Sequence, residues 1–218
     1  MGKDTEEMYQ GKFITFEGTE GVGKTTQIQL LEKYLKAKNI KCLVTREPGG
    51  TILGERIRKL LLNNDALDID PMAELLLMFS ARAQHLRDVI HPALKDNIWV
   101  LCDRFTDASY AYQGGGRGLP YASIRRIETV VQDGFTADLT ILLSGDIESG
   151  MRRVSKRGDK DRFELEKIEF FERVRHSYLN LAKANPERFS IVDADQTIDK
   201  AALAIQTAMK RRFAELIA

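Results

Sequence analysis

The stretch FEGTEGVGKTTQ, Phe16 to Gln27, constrains this chain more than any other. Within it, Gly18-x-x-x-x-Gly23-Lys24-Thr25 lies between KFITFE, an apolar run that reads as a strand, and TTQIQLLEKYLKAK, whose apolar residues recur at helical spacing. A strand feeding a glycine-rich turn and then a helix gathers backbone N–H groups and the positive end of a helix around one small space. Such a space suits nucleotide phosphates. In that role Gly18, Thr19, Glu20, Gly21, Val22 and Gly23 form the ATP cradle, Lys24 bridges the transferring oxygens, and the Thr25 hydroxyl holds the Mg²⁺ that accompanies ATP. Glu20 is the anomaly, because a carboxylate among phosphates weakens binding unless it points elsewhere.

Four more short apolar runs, IKCLVT, IWVLCD, LTILLS and FSIVDA, read as strands, with helix-period segments between them. Across Thr25–Lys38, Ile28, Leu31 and Leu35 form one stripe. Asp70-Pro71 pairs an N-cap with a proline at the first helical position and opens a long helix toward Lys95. Strands this apolar, with little alternation, belong to a parallel sheet covered on both sides. The expected fold class is α/β, a five-stranded parallel sheet with helices on both faces, whose ligands collect at the carboxyl ends of the strands. The 218 residues suffice for one large domain, taken as residues 12–218, with residues 1–11 as a loose tail.

The 33 basic and 32 acidic side chains nearly cancel, which argues against a nucleic-acid partner. The polar start is no signal peptide, and no apolar run reaches membrane-spanning length, so no membrane partner is expected. Cys42 and Cys102 lie in apolar runs without metal-ligand spacing, and a reducing cytoplasm fits them.

A phosphate loop alone does not define a kinase. A guanine-reading Asn-Lys-x-Asp is absent, and IWVLCDRF ends in Asp103-Arg104 rather than in the Asp-Glu of motor and transport ATPases. Asp103 can serve the metal, while Arg104 beside it points to a second anion. Arg46 follows another strand, so Arg46 and Arg104 can clamp an acceptor phosphate in fork geometry. Phe79 and Arg82 are three apart on the long helix, a ring and a donor suited to a base, although Phe79 also suits the core. In DRFTDASYAYQGGGRG, Ser109, Tyr112 and Gln113 share a face if the segment is helical, and the glycine triplet supplies freedom of motion.

Taken together, FEGTEGVGKTTQ, TREPGGT, FSARAQH, CDRFTDASYAYQGGGRG and KRGDKDRFE, in this order over about residues 12 to 195, resemble the thymidylate kinases. The resemblance implies a P-loop nucleoside monophosphate kinase fold, usually a homodimer, moving the γ-phosphate of ATP to dTMP for dTTP synthesis. It implies that Phe79 stacks on thymine, Arg82 reads its carbonyl, and Arg46 and Arg104 grip the dTMP phosphate. Tyr112 would crowd the 2′ side of the sugar, Ser109 or Gln113 would lie near the base, and Glu47-Pro48 would be cis. Glu20 then turns to the acceptor's 3′-hydroxyl, close to Arg46, and ceases to be anomalous.

Some thymidylate kinases carry an arginine inside the phosphate loop. Here Gly21 and Val22 stand there, so the catalytic cation is sought in MRRVSKRGDKDR, where Arg153 and Arg157 share a helix face in a lid at about 148–163. That pattern resembles the bacterial type. An arginine placed at Gly21 is expected to substitute for them in part. The DADQ after the last strand is placed near adenine, and His85, His91 and His176 are read as incidental. Another nucleoside monophosphate or deoxynucleoside kinase, or a nucleotide-binding switch without transfer activity, stays open as an alternative.

Overall fold

The structure, a computed structural model, describes residues 9–63, 68–156 and 161–217. The five apolar runs form five strands: β1 (Phe13–Glu17), β2 (Cys42–Arg46), β3 (Trp99–Asp103), β4 (Leu139–Ser144) and β5 (Phe189–Asp193). They make one sheet in the order β2-β3-β1-β4-β5, and every neighbouring pair is parallel. The central strands β1, β3 and β4 are buried almost throughout, whereas Val44 on β2 and Ile191 on β5 reach solvent at the edges. Continuous apolar runs are what burial on two faces demands.

Side chains alternate across the sheet. Ile14 and Phe16 face α1 (Lys24–Ala37), whose Ile28, Leu31 and Leu35 form the stripe read from sequence, and α9 (Ile198–Arg212), which adds Ile205 and Met209. Phe13 points the opposite way, into Leu86, Ile90 and Leu94. On that second side Leu142 of β4 also meets Phe171, Val174 and Tyr178 of α8 (Ile168–Ala184). Each fully buried large side chain contributes about 1.5–3 kcal/mol.

The long helix opens where Asp70 and Pro71 predict. The Asp70 carboxylate accepts from Met72 N and Ala73 N at the start of α3 (Pro71–His85), which follows α2 (Ile52–Leu62). It then passes through one π-helical turn, Leu86–Ile90, into α4 (His91–Lys95). Pro92 offers no N–H and crowds the preceding turn, which accounts for the widened turn before it. A short α5 (Thr106–Ser109), a second π-helical turn (Tyr110–Gly116) and α6 (Tyr121–Gln132) lead to β4, and α7 (Ile147–Ser155) carries the basic run.

Three sequence expectations change. Residues 9–11 of the supposed tail are docked: Tyr9 stacks on His91 and its hydroxyl meets His91 Nδ1 at 2.8 Å, while Gly11 N donates to Leu94 O at 3.0 Å. His91 therefore holds Tyr9 rather than standing as a bystander. The glycine triplet is packed rather than loose, since a Cβ on Gly115 would stand 2.7 Å from Ser177 Cβ and one on Gly116 would enter the Phe170 ring.

The registers Phe16↔Asp103 and Arg46↔Asp103 set the ends of β1, β2 and β3 side by side. Glu47 N→Asp103 O and Arg104 N→Phe16 O, at 3.0 and 2.9 Å, continue the ladder past the strands. The segments that carry the predicted site residues therefore leave the sheet at one edge.

Candidate active site

At that edge lies a cavity of about 430 Å³. The phosphate loop forms one wall. Gly18, Gly21 and Gly23 have φ of 135°, 70° and 91°, values that glycine adopts without strain, and Gly23 is the N-cap of α1. Lys24 is buried rather than a surface lysine, and its Nζ donates to Gly18 O at 3.2 Å and Thr19 O at 3.0 Å. Burial, and then the nearby Arg104 guanidinium, push its pKa below the ordinary lysine value. Thr25 lines the same space, as does Asp103, whose Oδ1 is buried with no hydrogen-bond partner among the described residues.

Opposite stands a wall built around Arg82, which is 2% exposed. Its Nε donates to Glu47 Oε2 at 2.7 Å, and its Nη2 to Phe105 O and Ser109 Oγ at 3.0 and 3.1 Å. The other Glu47 oxygen lies 3.0 Å from His85 Nδ1, and His85 Nε2 lies 2.7 Å from Thr45 Oγ1. Glu47 precedes a cis peptide bond to Pro48. Arg82 Nη1 is left without a partner among the described residues, a spare donor on a residue that lines the cavity. Ser109, Tyr112 and Gln113 line it too.

Phe79 does not. It is 1% exposed, packed with Leu75, Tyr110 and Ile124, and the Arg82 guanidinium covers its face at 4.4 Å. The cavity wall is made instead by Met78, one turn before Arg82. Phe79 thus packs against the arginine from behind, and Met78 joins Leu62, Phe105 and Phe163 in the apolar part of the lining.

Between the two walls, Glu20 is paired with Arg104 at 2.7 Å, and the Tyr112 hydroxyl donates to the same Oε1 at 3.1 Å. Arg104, at a φ of 71°, also donates to Gly18 O at 3.0 Å and Tyr178 Oη at 3.2 Å, with its guanidinium 4.7 Å over the Tyr112 ring. Among the described residues, Arg104 rather than Arg46 is the cation seen paired with Glu20. Arg46 lines the cavity but holds Glu55 in a two-pronged pair at 3.0 and 2.9 Å. Arg58, unforeseen from sequence, lines it as well and donates to Pro48 O at 3.1 Å.

A glycine-rich phosphate wall facing a corner of buried arginine, serine and glutamine is an arrangement for two nucleotides. Family comparison agrees: the thymidylate kinase family model matches residues 16–205. The chain belongs to the thymidylate kinase family. It is 52% identical over 199 residues to the thymidylate kinase of Ruthia magnifica subsp. Calyptogena magnifica, covering 91% of this chain and 97% of that one. It is 48% identical to that of Hahella chejuensis, covering 95% and 100%. The crystal structure of thymidylate kinase from Ehrlichia chaffeensis superposes with a TM-score of 0.75 at 34% identity, over 92% of this chain and 98% of that one. The α/β fold is thus that of the P-loop nucleoside monophosphate kinases, and its relatives are phosphotransferases.

The segment read from sequence as a lid, about 148–163, is described except for residues 157–160. Arg153 on α7 lines the cavity and its Nε donates to Gly21 O at 2.7 Å. Arg157 and Lys160 lie outside the described residues. Arg152 turns to Ser149 and Glu148, while Arg162 reaches back to Leu61 O at 2.8 Å and to Glu74. The idea of an arginine at Gly21 fails sterically: any Cβ there would overlap the Gly150 carbonyl oxygen, and a Cβ on Gly150 would sit 2.6 Å from Glu20 O. Loop and lid helix touch glycine to glycine. Asp195 of DADQ does not line the cavity; its Oδ2 accepts Asp146 N at 2.8 Å, at the N-cap of α7.

Met78 and Glu74 escaped the sequence reading, Glu47 entered it only for its peptide bond, and His85, read as incidental, is instead buried between Glu47 and Thr45. The signal available was the spacing Glu74–Met78–Arg82, every fourth residue along one helical line, and a glutamate next to a strand-end arginine.

Proposed function

We propose that the chain transfers the γ-phosphate of ATP to dTMP, yielding ADP and dTDP for dTTP synthesis. The observation that carries this reading is the wall opposite the phosphate loop, where Arg82 is bonded to Ser109 and keeps Nη1 spare, in a cavity that Gln113 also lines. A donor fixed by buried partners suits a ring carbonyl. Met78 supplies the apolar contact to the base, and Arg46, Arg58 and Arg104 surround the place of the acceptor phosphate. Glu20, steadied by Arg104 and Tyr112, takes the 3′-hydroxyl, and Tyr112 crowds the 2′ position.

An acceptor phosphate is already ionised, so transfer needs no general base. It needs alignment and cations around the moving group. Lys24 and the α1 N-terminus hold the donor phosphates, Arg153 approaches from α7, and Arg157 is proposed to act with it. Among the described residues no cluster of three or more His, Cys, Asp or Glu stands together. The spare Asp103 Oδ1 and the Thr25 hydroxyl fit Mg²⁺ delivered with ATP, held by few protein groups. When bound, Mg²⁺ neutralises charge on the phosphate oxygens.

A homodimer is proposed as well, supported by exposed Leu53 and Leu60 on α2 and Leu76 on the adjoining α3. Residues 12–218 are proposed to act as one domain with a lid at about 148–163, in the cytoplasm; no helix among the described residues is long and apolar enough to cross a membrane. The deciding assay supplies ATP, Mg²⁺ and, in turn, dTMP, dUMP, dCMP, dGMP and AMP. dTDP should form fastest. Absence of dTDP would leave a nucleotide-binding switch, and faster turnover of another acceptor would leave a kinase of different specificity.

A further inference from the structure

Glu74 makes no approach to the cavity, yet one side chain that does depends on it. It lies on α3 one turn before Met78 and two before Arg82, and is 0% exposed. Its Oε1 accepts Gln113 Nε2 at 2.7 Å. Its Oε2 is held by Arg162 Nη2, with Arg117 Nε at 3.5 Å. A carboxylate accepts hydrogen bonds and donates none. The amide nitrogen of Gln113 must therefore face Glu74, and the amide oxygen must face away, so the acceptor-only chemistry of the carboxylate sets its direction. Gln113 is 1% exposed, it lines the cavity, and the described residues supply no partner for Oε1.

Two residues that line one cavity thus each offer it a group: Gln113 an acceptor, Oε1, and Arg82 a donor, Nη1. An acceptor beside a donor complements a pyrimidine edge that presents ring N–H beside C=O. It opposes an edge that presents a bare ring nitrogen beside an amino group. We infer that Glu74 is a positioning residue that makes the site reject amino-pyrimidine nucleotides, by fixing the direction of the Gln113 carboxamide. The inference rests on the corner being the base site, as proposed above. Arg162 and Arg117 occupy the second oxygen of Glu74, which keeps the first aligned on Gln113. A neutral glutamine at position 74 can donate or accept, and would satisfy Gln113 in either direction.

The test uses the full chain with ATP and Mg²⁺, comparing kcat/KM for dTMP and for dCMP in the wild type, Glu74→Gln and Gln113→Leu. Glu74→Gln should lower the dTMP-to-dCMP ratio by about 10-fold or more, with KM for dTMP rising more than kcat falls. A purely structural role would lower turnover of both acceptors together and leave the ratio alone. If Glu74→Gln fails to fold because Arg162 loses its partner, Glu74→Gln/Arg162→Gln removes that charge and is judged by the same ratio. A ratio unchanged within about threefold, while Gln113→Leu collapses it, overturns the inference alone. A ratio unmoved by Gln113→Leu overturns the reading of the corner as the base site.

Discussion

The two walls of the cavity are made in different ways. On the acceptor side the groups are buried and interlocked: Arg82 is fastened by Glu47, Phe105 and Ser109, Glu47 by His85, and His85 by Thr45. On the lid side Arg153 is exposed and its guanidinium is held by one backbone carbonyl, that of Gly21. Buried polar groups that satisfy each other cannot shift singly without leaving a partner unpaired, at a cost of about 1–3 kcal/mol. An exposed arginine with one hydrogen bond moves at little cost. The wall around Arg82 is thus preformed, as the proposed acceptor site requires, and Arg153 is a cation free to move, as the proposed lid role requires. Mutations on the two walls should therefore divide between KM and kcat.

The largest effect is expected where the walls meet the donor. Lys24→Met keeps much of the buried stem but removes the ammonium, and should lower kcat by about 10³. Circular dichroism and kcat for dTDP formation check it together, and activity within about tenfold of wild type would remove the loop from the chemistry. Arg153→Ala comes next, with kcat lower by about 10² and KM for dTMP little changed. An Arg153→Ala enzyme that loses dTMP affinity instead would erase the contrast, making the lid part of the preformed wall.

Most of the fold could be read directly, because a parallel sheet buried on both sides writes itself as apolar runs, and all five became strands. Arg46, Asp103 and Arg104 were placed at the cavity for a related reason: strand ends in such a sheet share one edge. The choice between Met78 and Phe79 was not legible. A helix turns 100° per residue, neighbours therefore face different surroundings, and apolar character alone does not say which faces a ligand. Nor did the sequence reveal partners. Glu20 was matched to Arg46, but Arg104 alone carries the left-handed backbone that brings its guanidinium over Gly18 and Glu20.

The Met78–Phe79 distinction gives the third test. Phe79→Ala empties a packed site beneath Arg82 and should destabilise the protein by about 3–5 kcal/mol, seen in thermal or denaturant unfolding. Met78→Ala, at a half-buried position that also packs beside Ile57 and Leu61, should lower the melting temperature less than Phe79→Ala and raise KM for dTMP by about tenfold, with KM for ATP unaffected. The reverse pattern would return the base-contacting role to Phe79.

The smallest effect concerns what lies beneath the acceptor wall. Glu17 ends β1 fully buried; Phe105 N and the Tyr178 hydroxyl each donate to it at 2.7 Å, and Tyr178 Oη in turn receives Arg104. Burial, and then the neighbouring Asp107 carboxylate, push its pKa up to about 8, against the pull of Tyr178, Arg104 and the Phe105 N–H. Asp107 itself is held by Arg188 in a two-pronged pair. The folded protein therefore keeps a proton on Glu17 that the unfolded chain releases near the ordinary glutamate value, about 4.3. Between those values the native state binds more protons than the unfolded one, so this contribution is greatest at acid pH and drains away as pH rises to about 8. Glu17→Gln stays neutral throughout and can still accept from Phe105 N, while its amide nitrogen, a donor, reverses the direction of the bond to Tyr178 Oη. Its melting temperature should fall less than that of wild type between pH 6 and pH 8.5, while dTDP formation at pH 7 changes only a few-fold. Parallel melting curves across that range would show that Glu17 is ionised in the fold, and that the wall above it rests on a carboxylate paired to Arg104 through Tyr178.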